Sequence, residues 1–275
     1  MDRKKIQRAK LIIAIVVVLI IAIIVVARIV KYQKEGEKNM PYSISKIIVV
    51  STANKYEKNE SEANNDIQQN LDDSEGNSEN QENQNENQNN SIWNFDLIQN
   101  NDIYISVEKN EENIKDEEKI KSISIGNIQI SQAPLKGTLK AYMPNSLDGE
   151  KYKYTDDYIV SESLTYRSSN ESNFKYLVVS NNGGTIGISF ANTELGTYSS
   201  GDDTEITYNG TMLSKVGITN EDVKSKVSFD LIIELDDGKK YSGRIDIDIN
   251  CDGLVENGTT QMELTDFSSV VFKRI

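Results

Sequence analysis

Histidine is absent from the 275 residues, and cysteine occurs once, at position 251. Without imidazole the chain lacks the usual general base of nucleophilic triads and the commonest ligand of catalytic zinc. A lone cysteine forbids an intramolecular disulfide, so any exported part must be held together by its core. Basic residues are also scarce, with 30 Lys plus Arg against 43 Asp plus Glu and a net charge of −13. The first ten residues hold five bases and one acid, so the remainder carries −17. A surface of that sign repels nucleic acid and anionic lipid, and no nucleic-acid partner is expected. Beyond residue 30 no long helical periodicity appears, which argues against a parallel α/β sheet.

What the chain does have is one long apolar run. From Leu11 to Ala27 every side chain is apolar, and after Arg28 the run continues through Ile29 and Val30. About 20 such residues, rising about 1.5 Å each, cross the hydrocarbon of a bilayer. In lipid every backbone amide must be paired within the segment, so a lone span is helical whatever the water-based propensity of Ile and Val. Arg28 can extend its aliphatic stem and lift its guanidinium into the headgroups. Arg3, Lys4, Lys5, Arg8 and Lys10 precede the run against the single acid Asp2, and basic flanks stay cytoplasmic. The expectation is therefore a basic tail over 1–10, a transmembrane helix over 11–30 and a juxtamembrane segment over 31–41, with the bulk of the chain outside the plasma membrane. A cleavable signal peptide ending after Ala27, with Val25 and Ala27 at the small-residue positions, is the competing reading. Both readings export the rest.

The exported part divides by composition. Residues 42–52, a β-branched run entered through Pro41, predict a first strand. Residues 53–90 are an acidic, Asn- and Gln-rich insert with almost nothing to bury, predicted to be disordered. Residues 91–275 follow a period of two. Trp93, Phe95 and Leu97, the turn-forming stretch Gln99-Asn100-Asn101-Asp102, and Ile103, Ile105 and Val107 predict a hairpin. Ile123 and Ile125 shift parity across Gly126-Asn127 to Ile128 and Ile130, which predicts a bulge. Leu177 and Val179, Asn181-Asn182-Gly183-Gly184, then Ile186, Ile188 and Phe190 predict a second hairpin. A third, the clearest, joins Val227–Leu235 to Tyr241–Ile249 through Asp236-Asp237-Gly238-Lys239. Thr219-Asn220-Glu221-Asp222 has a capping residue with an acid three positions on and predicts a short helix. A last strand is expected over Val270–Arg274. About ten short strands in this order make the fold class mainly β, an antiparallel sandwich or jelly-roll-like ectodomain. If the strand at 42–52 joins that sheet, the acidic insert becomes a long connection between the first two strands, which loop-closure entropy penalises only weakly.

Chemistry is thin. Sortases and cysteine L,D-transpeptidases are also surface β proteins with one important cysteine, yet both pair it with histidine. Cys251, beside Asp252, has no such partner and reads as a buried, incidental thiol. Type IV pilins combine an apolar helix with a β domain, but the glycine and glutamate of their processing site are missing here. One constellation could hold calcium: Asp248, Asn250 and Asp252 place oxygens at alternate positions before Gly253, with Glu256 in the ninth place. The twelfth position is Thr259, so the bidentate acid is lacking, and an exposed strand face entering an Asp-Gly turn explains the same residues. Tyr142, Tyr152, Tyr154, Tyr158 and Tyr166 could stack on wall glycan or fill half-buried strand positions. Paired carboxylates for glycoside hydrolysis do not stand out among so many acids.

The segment Tyr42-Ser-Ile-Ser-Lys-Ile-Ile-Val-Val-Ser-Thr, the Trp93 strand with Asn101-Asp102-Ile-Tyr-Ile, and the ending Val270-Val-Phe-Lys-Arg-Ile together resemble uncharacterised single-pass membrane proteins of clostridia. The resemblance covers most of the chain outside the low-complexity insert. It implies a Gram-positive envelope location and carries no activity. The reading that follows is a membrane-anchored binding or scaffolding protein of the cell envelope, with wall glycan or an envelope protein as partner. The alternative is an envelope carbohydrate-active enzyme using carboxylates only.

Overall fold

A computed structural model describes residues 3–57, 93–110, 118–144, 158–168, 177–200 and 211–275. It is mainly β: two antiparallel sheets face each other behind one apolar N-terminal helix. That helix, α1, runs from Arg3 to Asn39. Its stretch Ile15–Tyr32 has a mean hydropathy of 2.8 and is not buried against any other part of the chain. By length and composition this helix is long and apolar enough to cross a membrane, which fits an anchor and a signal sequence alike.

Only Met40 and Pro41 separate α1 from the first strand, β1, Tyr42–Glu57. The strand continues five residues past the expected boundary, because Ala53 to Glu57 pair with Gln99 to Phe95 and Ala53 is fully buried. The rest of the expected acidic insert lies outside the described residues. Next come β2 (Trp93–Lys109), β3 (Ile120–Gln132), β4 (Thr138–Tyr142), β5 (Ser163–Arg167), β6 (Val179–Ser180) and β7 (Gly183–Ser200). After them lie the short helices α2 (Thr211–Lys215) and α3 (Asn220–Val223), strands β8 (Ser225–Leu235) and β9 (Lys240–Ile249), helix α4 (Leu254–Asn257), and strands β10 (Thr259–Leu264) and β11 (Lys273–Arg274). One sheet has the order β10-β1-β2-β7-β4, with β6 beside β7, and the other β11-β9-β8-β3-β5.

The period of two explains the layers. Alternate side chains of β8 (Val227, Phe229, Leu231, Ile233, Leu235) and of β9 (Ile245, Ile247, Ile249) are buried, as are Ile103 and Ile105 of β2 and Ile186 and Ile188 of β7. The residues between them include the exposed Lys226, Asp246 and Asp248 and the half-buried Asp230 and Glu234, whereas Ser228 and Ser189 are buried. The β8–β9 and β6–β7 hairpins, the Gly126-Asn127 bulge and the α3 cap stand where the sequence put them. At the bulge Asn127 is left-handed with φ 48°, and its carbonyl accepts from Arg244 at 2.8 Å. Arg244 also reaches Asp230 at 3.1 Å and Gln129 at 2.8 Å, so one guanidinium ties three strands across the irregularity.

Two predictions fail for one reason. The hairpin expected at Gln99–Asp102 is a single 17-residue strand, β2, paired to β1 on one side and β7 on the other. The final strand is shorter than expected, with only Lys273 and Arg274 pairing, to Ser242 and Tyr241. In both places partner strands, not local sequence, set the length.

Two tyrosine hydroxyls lock the layers. Tyr166 of β5 donates to the Gly187 carbonyl of β7 in the opposite sheet at 2.5 Å. Tyr42 lies within 2.9 Å of the Asn181 carbonyl and 3.0 Å of that of Glu118, where β1 leaves the helix. Replacing Tyr166 with Phe should cost about 1–2 kcal/mol, since it strips a donor from a buried carbonyl. Chemical denaturation of the detergent-solubilised chain should show it, with Tyr158→Phe, an exposed ring, leaving the midpoint unchanged.

Candidate functional site

The centre of β2 carries the most unusual chemistry in the fold. Gln99, Asn100 and Asn101 are buried and Asp102 partly so, four polar residues in the middle of a strand paired on both sides. Strand alternation sends Gln99 and Asn101 between the sheets and Asn100 and Asp102 to the outer face.

On the inner side an amide network forms. The Asn101 Oδ1 accepts from the Ser51 hydroxyl at 2.6 Å and from Gln99 Nε2 at 2.9 Å, and Asn101 Nδ2 donates to the Phe190 carbonyl at 3.1 Å. Asn192 of β7 donates to Gln99 Oε1 at 3.3 Å and to the Lys136 carbonyl at 3.0 Å. Gln99 Nε2 also lies 2.8 Å from the Cys251 sulfur. Gly137, with φ 85°, lies so close to the side-chain oxygen Oδ1 of Asn192 and the backbone carbonyl of Thr193 that a β-carbon has no room. Beside this network a cleft of about 160 Å³ opens between β1, β10 and the end of β9. Ser51 and Cys251 stand in its wall with Thr260 and Met262.

The outer side holds the perturbed acid. Asp102 accepts from Asn100 Nδ2 at 2.8 Å and from the Ser189 hydroxyl. Burial raises its pKa, and the two donors offset only part of that rise. Two positions along, burial and the Asp102 charge push the Tyr104 phenol up to about 12.

The chemical capacity of these groups is limited by their burial. Burial pushes the Cys251 thiol up to about 11, so at neutral pH it is protonated. Ser189 is fully buried, and its hydroxyl serves Asp102, not a substrate. Among the described residues Asp102 is the acid whose pKa is shifted upward, the direction expected of a proton donor.

The structure does not bring the four expected calcium ligands together. Asp248 pairs with Lys226 at 2.7 Å and Asp252 with Lys224 at 3.0 Å. Asn250 donates to Asp252 at 2.7 Å, and Glu256 accepts twice from Asn220, at 2.9 and 3.1 Å. Asn220 in turn accepts from the Val255 amide at 3.0 Å, so these bonds tie α3 to α4, while the Lys226–Asp248 pair joins β8 to β9. Among the described residues no group of three or more His, Cys, Asp or Glu could hold a metal. The tyrosine platform also disperses: Tyr142 and Tyr166 are core residues, Tyr158 is exposed, and Tyr152 and Tyr154 lie outside the described residues.

Sequence reasoning missed the site because it took Gln99–Asp102 for a turn. A signal was present: Phe95, Leu97, Ile103, Ile105 and Val107 are all odd-numbered, so the alternation passes through the polar stretch without a change of phase, and the stretch contains no Gly or Pro. Comparison of the chain with protein-family models, curated proteins and solved structures finds no match.

An acid whose folded pKa is raised stabilises the fold most when protonated, below the unfolded carboxylate range near about 4, and that contribution is lost as pH rises through the folded value. Asp102→Asn is neutral at every pH. The variant should therefore melt above the parent at neutral pH, with the gap closing as pH falls toward about 4. A gap that does not change with pH would show that the Asp102 charge is not disfavoured in the fold. For Cys251, thiol reagents should react with the native chain only at the rate of unfolding, and at once in denaturant. Prompt labelling of the native chain would contradict the burial described.

Proposed function

We propose that the chain is a single-pass protein of a bacterial plasma membrane, with the basic tail inside and the β-sandwich outside, where the sandwich binds or scaffolds envelope components without catalysing a reaction. The observation that carries this reading is the junction between helix and sheet. α1 continues seven residues past Tyr32 and passes through two residues into β1, which is an interior strand of its sheet. A signal sequence destined for removal has no need to be continuous with an interior strand, whereas an anchor gains a firm attachment. The five basic residues before the span support the orientation. The resemblance to clostridial single-pass membrane proteins supports a Gram-positive envelope, with wall glycan or a neighbouring envelope protein as partner. Buried, protonated or internally committed nucleophiles support a binding role over a catalytic one.

A carboxylate-only envelope hydrolase is the second reading, and Asp102 is the observation that favours it. Its raised carboxyl has the character of a general acid.

The deciding experiment uses intact cells and the full chain in lipid nanodiscs. External protease should remove the β domain while the N-terminal tail stays protected, and purified wall glycan or envelope extract should bind saturably without release of reducing ends. Protection of the domain would sink the orientation. Appearance of a free domain lacking α1 in the medium would favour the signal-sequence reading. Hydrolysis of wall polymer that disappears in Asp102→Asn would establish the enzyme instead.

A further inference from the structure

The C-terminal strand meets α1 at an unusual level. β11 packs against α1, and the Arg274 guanidinium sits 4.5 Å above the ring of Tyr32. Tyr32 lies two residues past Val30, the end of the apolar run that begins at Leu11; about 20 residues rise about 30 Å as a helix and fill the hydrocarbon layer of about 30 Å. A tyrosine at that position belongs in the headgroup region, where its ring and hydroxyl suit the two environments. Whatever touches Tyr32 shares that depth.

Around this contact the chain ends in a mixed apolar and cationic surface. Val271 is 46% exposed and Ile275 58%; Leu135 and Val178 of the same domain are exposed too, so what sets Val271 and Ile275 apart is their place beside the strand that packs on α1. Phe272, between them, is buried and packs on Gly243 of β9, so the segment is fixed to the sheet. Lys273 is exposed, and Arg28, Lys31 and Lys34 of α1 are exposed as well. Basic side chains therefore stand on both elements at this contact, with Asp237 of the β8–β9 turn close enough to Arg274 to feel its charge.

We propose that the β11 end is a lipid-contacting foot: Val271 and Ile275 enter the boundary between headgroups and acyl chains, and Lys273 and Arg274 engage headgroup phosphates. The domain is then held at one tilt against the bilayer and does not stand off on residues 33–39 as a free stalk. Lysine and arginine that bury their stems and leave their charge among phosphates suit that layer. The inference rests on α1 spanning the membrane, and the test separates the two claims.

Single-tryptophan forms of the full chain are placed in phosphatidylcholine nanodiscs brominated on the acyl chains, near the headgroup to probe the foot and near the chain end to probe the span, with and without phosphatidylglycerol. Trp93 opens β2, whose other end, Lys109, pairs with Tyr42 beside the helix, so the native tryptophan is the reporter far from the bilayer. Ile20→Trp and Ile275→Trp, each in a Trp93→Phe background, report the span and the foot, and Val271→Trp is a second foot probe. Expected is quenching of the Ile20, Ile275 and Val271 reporters but not of Trp93, with Arg274→Glu relieving it at Ile275 but not at Ile20. Quenching at Ile20 alone overturns the foot and leaves the span intact. No quenching at Ile20 overturns the span and the foot with it.

Discussion

Double pairing of β2 is the constraint on which the rest depends. Its residues bond to β1 and β7 through most of its length. A turn at Gln99–Asp102 would break ladder bonds on both sides and leave their donors and acceptors inside the domain, each at a cost of about 1–3 kcal/mol. Keeping four polar side chains in line costs less, provided each finds partners. The inner amides do so through Ser51, Phe190 and Asn192, and Asp102 does so through Asn100 and Ser189.

That polar belt also fixes register. Apolar rows on neighbouring strands tolerate a slip of two residues, because Ile meets Val either way. A slip here would part Asn101 from Ser51 and Asn192 from Gln99, leaving buried amides unpaired in a low-dielectric interior. Asn192 Oδ1 and Asn100 Oδ1 already have no hydrogen-bond partner, so the network is close to its limit. The irregularity next door fits this account: between Leu97 and Gln99 the pairing with β7 jumps from Gly196 to Asn192, and Glu194 takes a left-handed φ of 63°. The extra residues loop out so that Asn192 can face Gln99.

Much of the fold was legible in the residues. The β8–β9 hairpin was readable because an unbroken alternation flanks an Asp-Asp-Gly turn, and α3 because Thr219 and Asp222 form a local cap, 2.9 Å from amide to carboxylate. Both signals are local. β10, α2 and α4 were not legible: each is four to six residues long and is set by what it packs on. The site was misread in the same direction. Gln99–Asp102 has the composition of a turn and the environment of a core, and only the neighbouring strands distinguish the two. Asp248 to Glu256 has the spacing of a calcium loop, and the partners its carboxylates take in the fold, Lys226, Lys224 and Asn220, are distant enough in sequence to leave no mark on the motif.

The short passage from α1 into β1 also determines how the domain meets force. A pull transmitted through α1 enters at Tyr42 and runs along β1, whose bonds to β2 and β10 lie across that direction. The ladders are therefore loaded in shear, many bonds at once, and cannot be peeled one by one as they would be if the tether joined an edge strand from its side. A pull on α1 would therefore be shared by many ladder bonds before any of them opened.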